Sequence, residues 1–101
     1  MEEVMVAQAI WKYTIDKIGE NLIEMPKGSE VLSVGKQDRL PVIWVLVDPS
    51  QPFETRNIVN VFTGRELATA QGGLLRFLGT IQIEEHEVVH IFEAVDIQNM
   101  N

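Results

Sequence analysis

Lys27, Gly28 and Ser29 stand in a row within "IEMPKGSEVLSVG", and these residue types hold phosphate in nucleotide-binding loops. Such a loop needs a long glycine-containing run before its Lys-Ser pair and a helix after it. Here no glycine lies between Gly19 and Lys27, the order is Lys-Gly-Ser, and β-rich sequence follows. Pro26 presets φ for the first central position of a type I turn, and Gly28 supplies a positive φ after it. The stretch therefore reads as a turn between two strands, from which Lys27 remains a candidate ligand contact.

A second candidate is "RNIVNVFTGRELATAQGG". Arg56 and Arg65 flank a strand, Thr63-Gly64 opens a turn, and Arg76 lies just beyond the paired glycines. The guanidinium fork matches phosphate and carboxylate geometry. Thr63 could cap a short helix over residues 65–72, whose free amides would attract an anion. The candidate ligand-binding set is thus Lys27, Arg56, Thr63, Arg65 and Arg76, against the alternative of a strand–turn–helix junction with solvated arginines.

The two histidines, His86 and His90, are spaced i, i+4. On a strand that spacing separates them by about 13 Å, too far for one metal ion. A surface His86 and a packed or edge His90 are expected, with no metal site. The acids are dispersed, with Glu84, Glu85 and Glu87 grouped in a turn. No Ser-His-Asp or nucleophile-elbow spacing is present. No catalytic residue, cofactor or enzymatic activity is assigned.

The elements that position these residues are mostly strands. "AIWKYTI" puts Trp11, Tyr13 and Ile15 on one face and Ile10, Lys12 and Thr14 on the other. Asn21–Met25 and Ser29–Lys36 follow. "LPVIWVLVD" is apolar on both faces, as a central covered strand would be. Thr55–Gly64 is expected beside it. Leu74–Ile83 and Glu87–Val95 form a terminal hairpin about the acidic turn. The aromatic side chains Trp11, Tyr13, Trp44, Phe62, Phe77 and Phe92 are assigned to the core. About six or seven short strands favour an antiparallel meander, as a small barrel or sandwich, with one short helix near residues 65–72. Residues 10–95 make a single β domain, with an arm or extension over 1–9 and a frayed polar tail over 96–101.

At 101 residues there is chain for one core. The absence of cysteine removes disulfides and thiolate metal sites. No apolar run approaches the ~20 residues of a membrane span, and the acidic start "MEEVM" is unlike a secretory signal. A cytoplasmic protein is expected. The net charge of −7, from 8 basic and 15 acidic side chains, opposes general nucleic-acid binding.

The series "IWKYTI…IEMPKGSEVLSVGKQDRLPVIWVLVDP…FTGREL…FLGTIQ…VVHIFEA" resembles a family of small uncharacterised bacteriophage and prophage proteins. Its marks are a W-K-Y strand, an M-P-K-G turn, a W-containing strand ending in D-P, a T-G turn, an L-G-T strand and an H-x-F-E strand. The resemblance implies a phage protein acting in the host bacterial cytoplasm. Small phage accessory proteins bind and inhibit host factors, some of them as anti-defence proteins that sequester nucleotide signals between subunits. The expectation is a non-enzymatic binding protein, homo-oligomeric, with a host protein or a small anionic, nucleotide-like ligand as partner. Its alternatives are inhibition of a host protein by an acidic, nucleic-acid-like surface and a role as a minor virion or assembly component.

Overall fold

The computed structural model describes residues 7–67 and 73–95. They form seven strands: β1 (Ala9–Thr14), β2 (Gly19–Pro26), β3 (Glu30–Gln37), β4 (Leu40–Val47), β5 (Phe53–Phe62), β6 (Leu74–Glu84) and β7 (Glu87–Val95). All pairings are antiparallel. One sheet has the order β1-β4-β3, the other β2-β5-β7-β6. The sheets pack as a sandwich and do not close into a barrel. Among the described residues there is no helix. Arg65–Leu67, the start of the expected one, are not helical, and 68–72 lie outside those residues. So do 1–6 and 96–101, which hold most of the expected arm and the whole of the expected tail.

Alternation builds β1 as the sequence predicts. Trp11 and Tyr13 pack on the core, while Ile10, Lys12 and Thr14 face out. β4 is the central strand of its sheet, and its two edges are taken by β1 and β3. This corrects the expected pairing of β4 with the Thr55–Gly64 region. The Asp48–Gln51 turn carries the chain across to the other sheet, where β5 pairs with β2 and β7. In that turn the Asp48 carboxylate accepts from the Ser50 amide at 3.0 Å and hydroxyl at 2.6 Å.

The turn chemistry differs in one detail from the sequence reading. The Ser29 amide donates to the Pro26 carbonyl at 3.2 Å, and Gly28 has φ +82°. Lys27 and Gly28 are therefore the central residues of a type II turn, and Pro26 is its first residue. β3 and β4 are joined through Asp38 (φ 51°) and Arg39 (φ 66°). That is the type I′ geometry demanded by a two-residue hairpin, here built without glycine.

The core lies between the sheets. Ile15, Met25, Ile43, Val45, Val47, Ile58, Ile81, Val89 and Ile91 form one buried cluster, each large aliphatic contributing about 1.5–3 kcal/mol of transfer free energy. β3 and β6 approach across the sandwich at Gly79, where a Cβ would stand 2.2 Å from Val34 Cγ2. Phe77 departs from its expected place in the core. It is 58% exposed and rests edge-on against Phe92 at 5.4 Å between centroids.

Candidate functional site

Of the predicted site residues Arg56 lies in β5 and Thr63 and Arg65 follow it, and the two ends of that strand are different places. Thr63 lies seven positions after Arg56, roughly 23 Å of strand rise. Lys27, Arg56 and Arg76 belong to the first end, and Thr63 and Arg65 to the second. The five residues therefore do not form one site.

At the first end Arg56 is consumed by the fold. Its Nε donates to Glu93 Oε2 at 2.5 Å, and Nη2 donates to Oε1 at 2.9 Å. Nη1 donates to the Ser29 carbonyl at 2.6 Å, with Glu54 at 3.7 Å. The hydrogen bond to Glu93 holds the guanidinium above its ordinary pKa, against the opposing effect of burial. Glu93 is 5% exposed, so this is a bidentate pair sealed from water, with no donor fork left for a ligand. Arg76 stands opposite Glu93 across the β6–β7 pairing. Lys27 sits in the adjoining turn, whose Gly28 amide donates to Glu54 at 3.1 Å. Of the three cations at this end, Arg56 is paired with Glu93 and Glu54, and among the described residues Lys27 and Arg76 have no ion pair.

The second end is open. Thr63 follows β5, and its amide donates to the Val88 carbonyl at 3.1 Å. The Arg65 amide closes a tight turn onto the Phe62 carbonyl at 3.1 Å, through Gly64 at φ +87°. Thr63 thus caps no helix among the described residues. Its Oγ1 instead lies 2.6 Å from His90 Nε2, and Thr80 Oγ1 lies 2.9 Å from His90 Nδ1. A neutral imidazole donates from one nitrogen and accepts at the other, and a rotatable hydroxyl serves either role. The two threonines therefore fix the ring without fixing its tautomer.

Around this cluster Phe62, Thr63, Arg65, His86, Glu87 and Val88 line a groove of about 490 Å³. Among the described residues the Arg65 guanidinium has no ion pair within 4.0 Å. Its polar groups are Arg65, the His86 ring, the Thr63 hydroxyl and the Glu87 carboxylate. The hydroxyl–imidazole pair has the spacing of a base-activated nucleophile. However, its third member is a neutral hydroxyl where hydrolytic triads place a carboxylate.

Sequence reasoning missed His86, His90 and Thr80 as members of this site. The signal was partly present: Thr80 and His90 are equidistant from Glu85 in the acidic turn. An unbulged two-residue hairpin pairing Glu84 with Glu87 would set Thr80 opposite Ile91. The register shift between Gln82 and Glu84 moves it opposite His90, and a one-residue slip decides which side chains share a face. Three of the fragments that carried the family resemblance, T-G, L-G-T and H-x-F-E, meet at this histidine.

The fold and site define a small two-sheet β domain with an open groove at one end of its four-stranded sheet. The chain belongs to the family described as "Domain of unknown function (DUF7352)", whose model matches residues 6–100. Neither the curated proteins nor the solved structures gave a match. Among the described residues no helix is long and apolar enough to cross a membrane.

Proposed function

We propose that this protein is a non-enzymatic binding protein that sequesters a small phosphorylated ligand at the Thr63–Arg65–His86 groove. The observation that carries the reading is the contrast in arginine partners. Arg56 is saturated by Glu93, Glu54 and Ser29, whereas Arg65 lines a groove with no ion pair among the described residues. Arg76 and Lys27 also have no ion pair among the described residues, and are set aside because neither lines this groove. The resemblance to phage proteins supplies the setting: the cytoplasm of an infected bacterium, where capture of a host signalling nucleotide would act as an anti-defence measure. Isothermal titration with inorganic phosphate, ribose 5-phosphate and a nucleotide panel tests it. Binding heat that Arg65→Ala abolishes is expected; no heat with any probe contradicts it.

A second reading, association with a second copy or with a host protein, is favoured by the start of β6. Leu74, Leu75, Arg76 and Phe77 are all exposed, the three apolar ones by 52%, 40% and 58%. β6 is an edge strand, so its outer backbone edge has no partner in the sheet. Apolar edge strands of this kind recruit another strand. Light scattering coupled to gel filtration is expected to give a dimer mass that Phe77→Lys returns to a monomer. A wild-type monomer contradicts the reading.

A further inference from the structure

The binding reading uses the Thr63 hydroxyl but not the imidazole behind it. Thr63 Oγ1 lies 2.6 Å from His90 Nε2, and His90 Nδ1 lies 2.9 Å from Thr80 Oγ1. Three neighbouring strands bring them together: Thr63 follows β5, Thr80 lies on β6 and His90 on β7. With the ring proton on Nδ1, the imidazole donates to Thr80 and accepts from the Thr63 hydroxyl. The result is a nucleophile, a base within reach of its proton, and a third group that orients the base. A neutral third member still orients, as an amide does in papain-like proteases. What it withholds is a carboxylate to stabilise the imidazolium. Thr63 is exposed, stands in the tight turn that ends at Arg65, and lines the groove together with Arg65.

We propose that Thr63 is a phosphoryl acceptor, with His90 as its base, for an acyl phosphate held at Arg65. This rests on the phosphate reading above and adds a covalent step to the same groove. Thr63 Oγ1 attacks phosphorus while His90 Nε2 takes its proton, and the bond between phosphorus and the acyl oxygen breaks. The bonding pair leaves with that oxygen, so the products are phosphothreonine, a carboxylate ion and a protonated His90. The donor class follows from the neutral third member of the cluster. A carboxylate departs without being protonated, whereas the alkoxide of an ordinary phosphate ester needs an acid. Arg65, two residues on in the same turn, is the cation of the groove available to the phosphoryl oxygens, over which the charge is spread. The phosphoryl group stays on the chain, so each molecule reacts once and the protein is an acceptor, not a turnover catalyst.

The test is incubation with acetyl phosphate, read by intact mass and peptide fragmentation, beside titration of the wild type with ribose 5-phosphate. One phosphoryl group per chain is expected, on Thr63. Thr63→Ser is expected to keep the reaction and Thr63→Val to abolish it. His90→Gln is expected to slow it by at least about tenfold, the low side of what a positioned base contributes. Thr80→Val is expected to slow it as well and Thr80→Ser to restore it. That pair separates orientation of the base from a general loss of structure, and serves where His90→Gln does not fold. No adduct on a chain that binds ribose 5-phosphate overturns the acceptor and leaves the groove standing. An adduct on another residue, or equal rates in wild type, His90→Gln and Thr80→Val, also overturns it. An acetyl group on Thr63 overturns attack at phosphorus, and consumption of acetyl phosphate beyond one equivalent overturns the single reaction per chain. An adduct on Thr63 without ribose 5-phosphate binding upholds the nucleophile and overturns the groove, and silence in both experiments overturns both readings.

Discussion

The two ends of β5 hold the same chemical group in opposite circumstances. Arg56 and Arg65 looked equivalent in the sequence, two arginines flanking one strand. In the fold, Arg56 is half-buried on the core-facing side, fixed by a carboxylate that is itself buried. Arg65 sits past the end of the strand, in a turn whose backbone is closed by its own amide. The difference lies in where each residue stands relative to the end of sheet pairing. An arginine inside the sheet must find a partner before the domain can close over it. One beyond the sheet leaves its charge available.

The largest effect belongs to the closed end. Removing one member of a buried ion pair leaves the other charged and unpaired, at a cost of about 3–5 kcal/mol. Arg56→Ala is therefore expected to lower the melting temperature by at least ~12 °C. The double replacement Arg56→Met with Glu93→Leu is expected to recover most of it, because an apolar pair removes both charges together. Arg65→Ala, by contrast, is expected to stay within about 0.5 kcal/mol of the wild type in urea unfolding. Equal losses from the two alanine variants would erase the distinction between the ends.

A smaller effect sharpens the open end. Thr80→Val removes one hydroxyl partner of His90 and is expected to cost about 0.5–1.5 kcal/mol. The same change is expected to alter the nitrogen chemical shifts of the His90 ring, since Nδ1 then loses its hydroxyl partner. Unchanged ring shifts would show that the threonines do not hold the imidazole.

The smallest effect lies in the turn between the sheets. The Ser50 hydroxyl, then the Ser50 amide, hold the Asp48 carboxyl below its ordinary pKa. A depressed carboxyl pKa stabilises the fold above the unfolded value, and that contribution is lost as pH falls through the folded one. Ser50→Ala is therefore expected to raise the Asp48 titration toward the ordinary carboxylate range, as followed by NMR. The stability gap between variant and wild type is expected at neutral pH and to vanish in strong acid. A titration that stays put would dissociate Ser50 from the shift.

Much of the architecture was legible because it depends on local pattern. The alternation in Ala9–Thr14, the double-sided apolar run of β4 and the Gly28 turn each report their structure within a few residues. Sheet partnership was not legible for β4 and β5, because two apolar strands adjacent in sequence carry no mark of which edge is already occupied. Phe77 misled for a related reason. Its aromatic type argues for burial, yet it falls on the outer face of an edge strand, and face is set by the bulge between Phe77 and Gly79. The candidate site was half legible. Thr63 and Arg65 are neighbours in sequence, whereas His86, His90 and Thr80 join them through non-local pairing and a one-residue register shift.

The central claim is that the open end of β5, and not the Arg56 end, meets the ligand. Amide chemical-shift mapping during titration with ribose 5-phosphate tests this most directly. Shifts are expected at Thr63, Gly64, Arg65 and His86, while Lys27, Gly28, Ser29 and Arg56 stay still. Shifts centred on the Lys27–Ser29 turn and Arg56, or none at either end, would contradict the account.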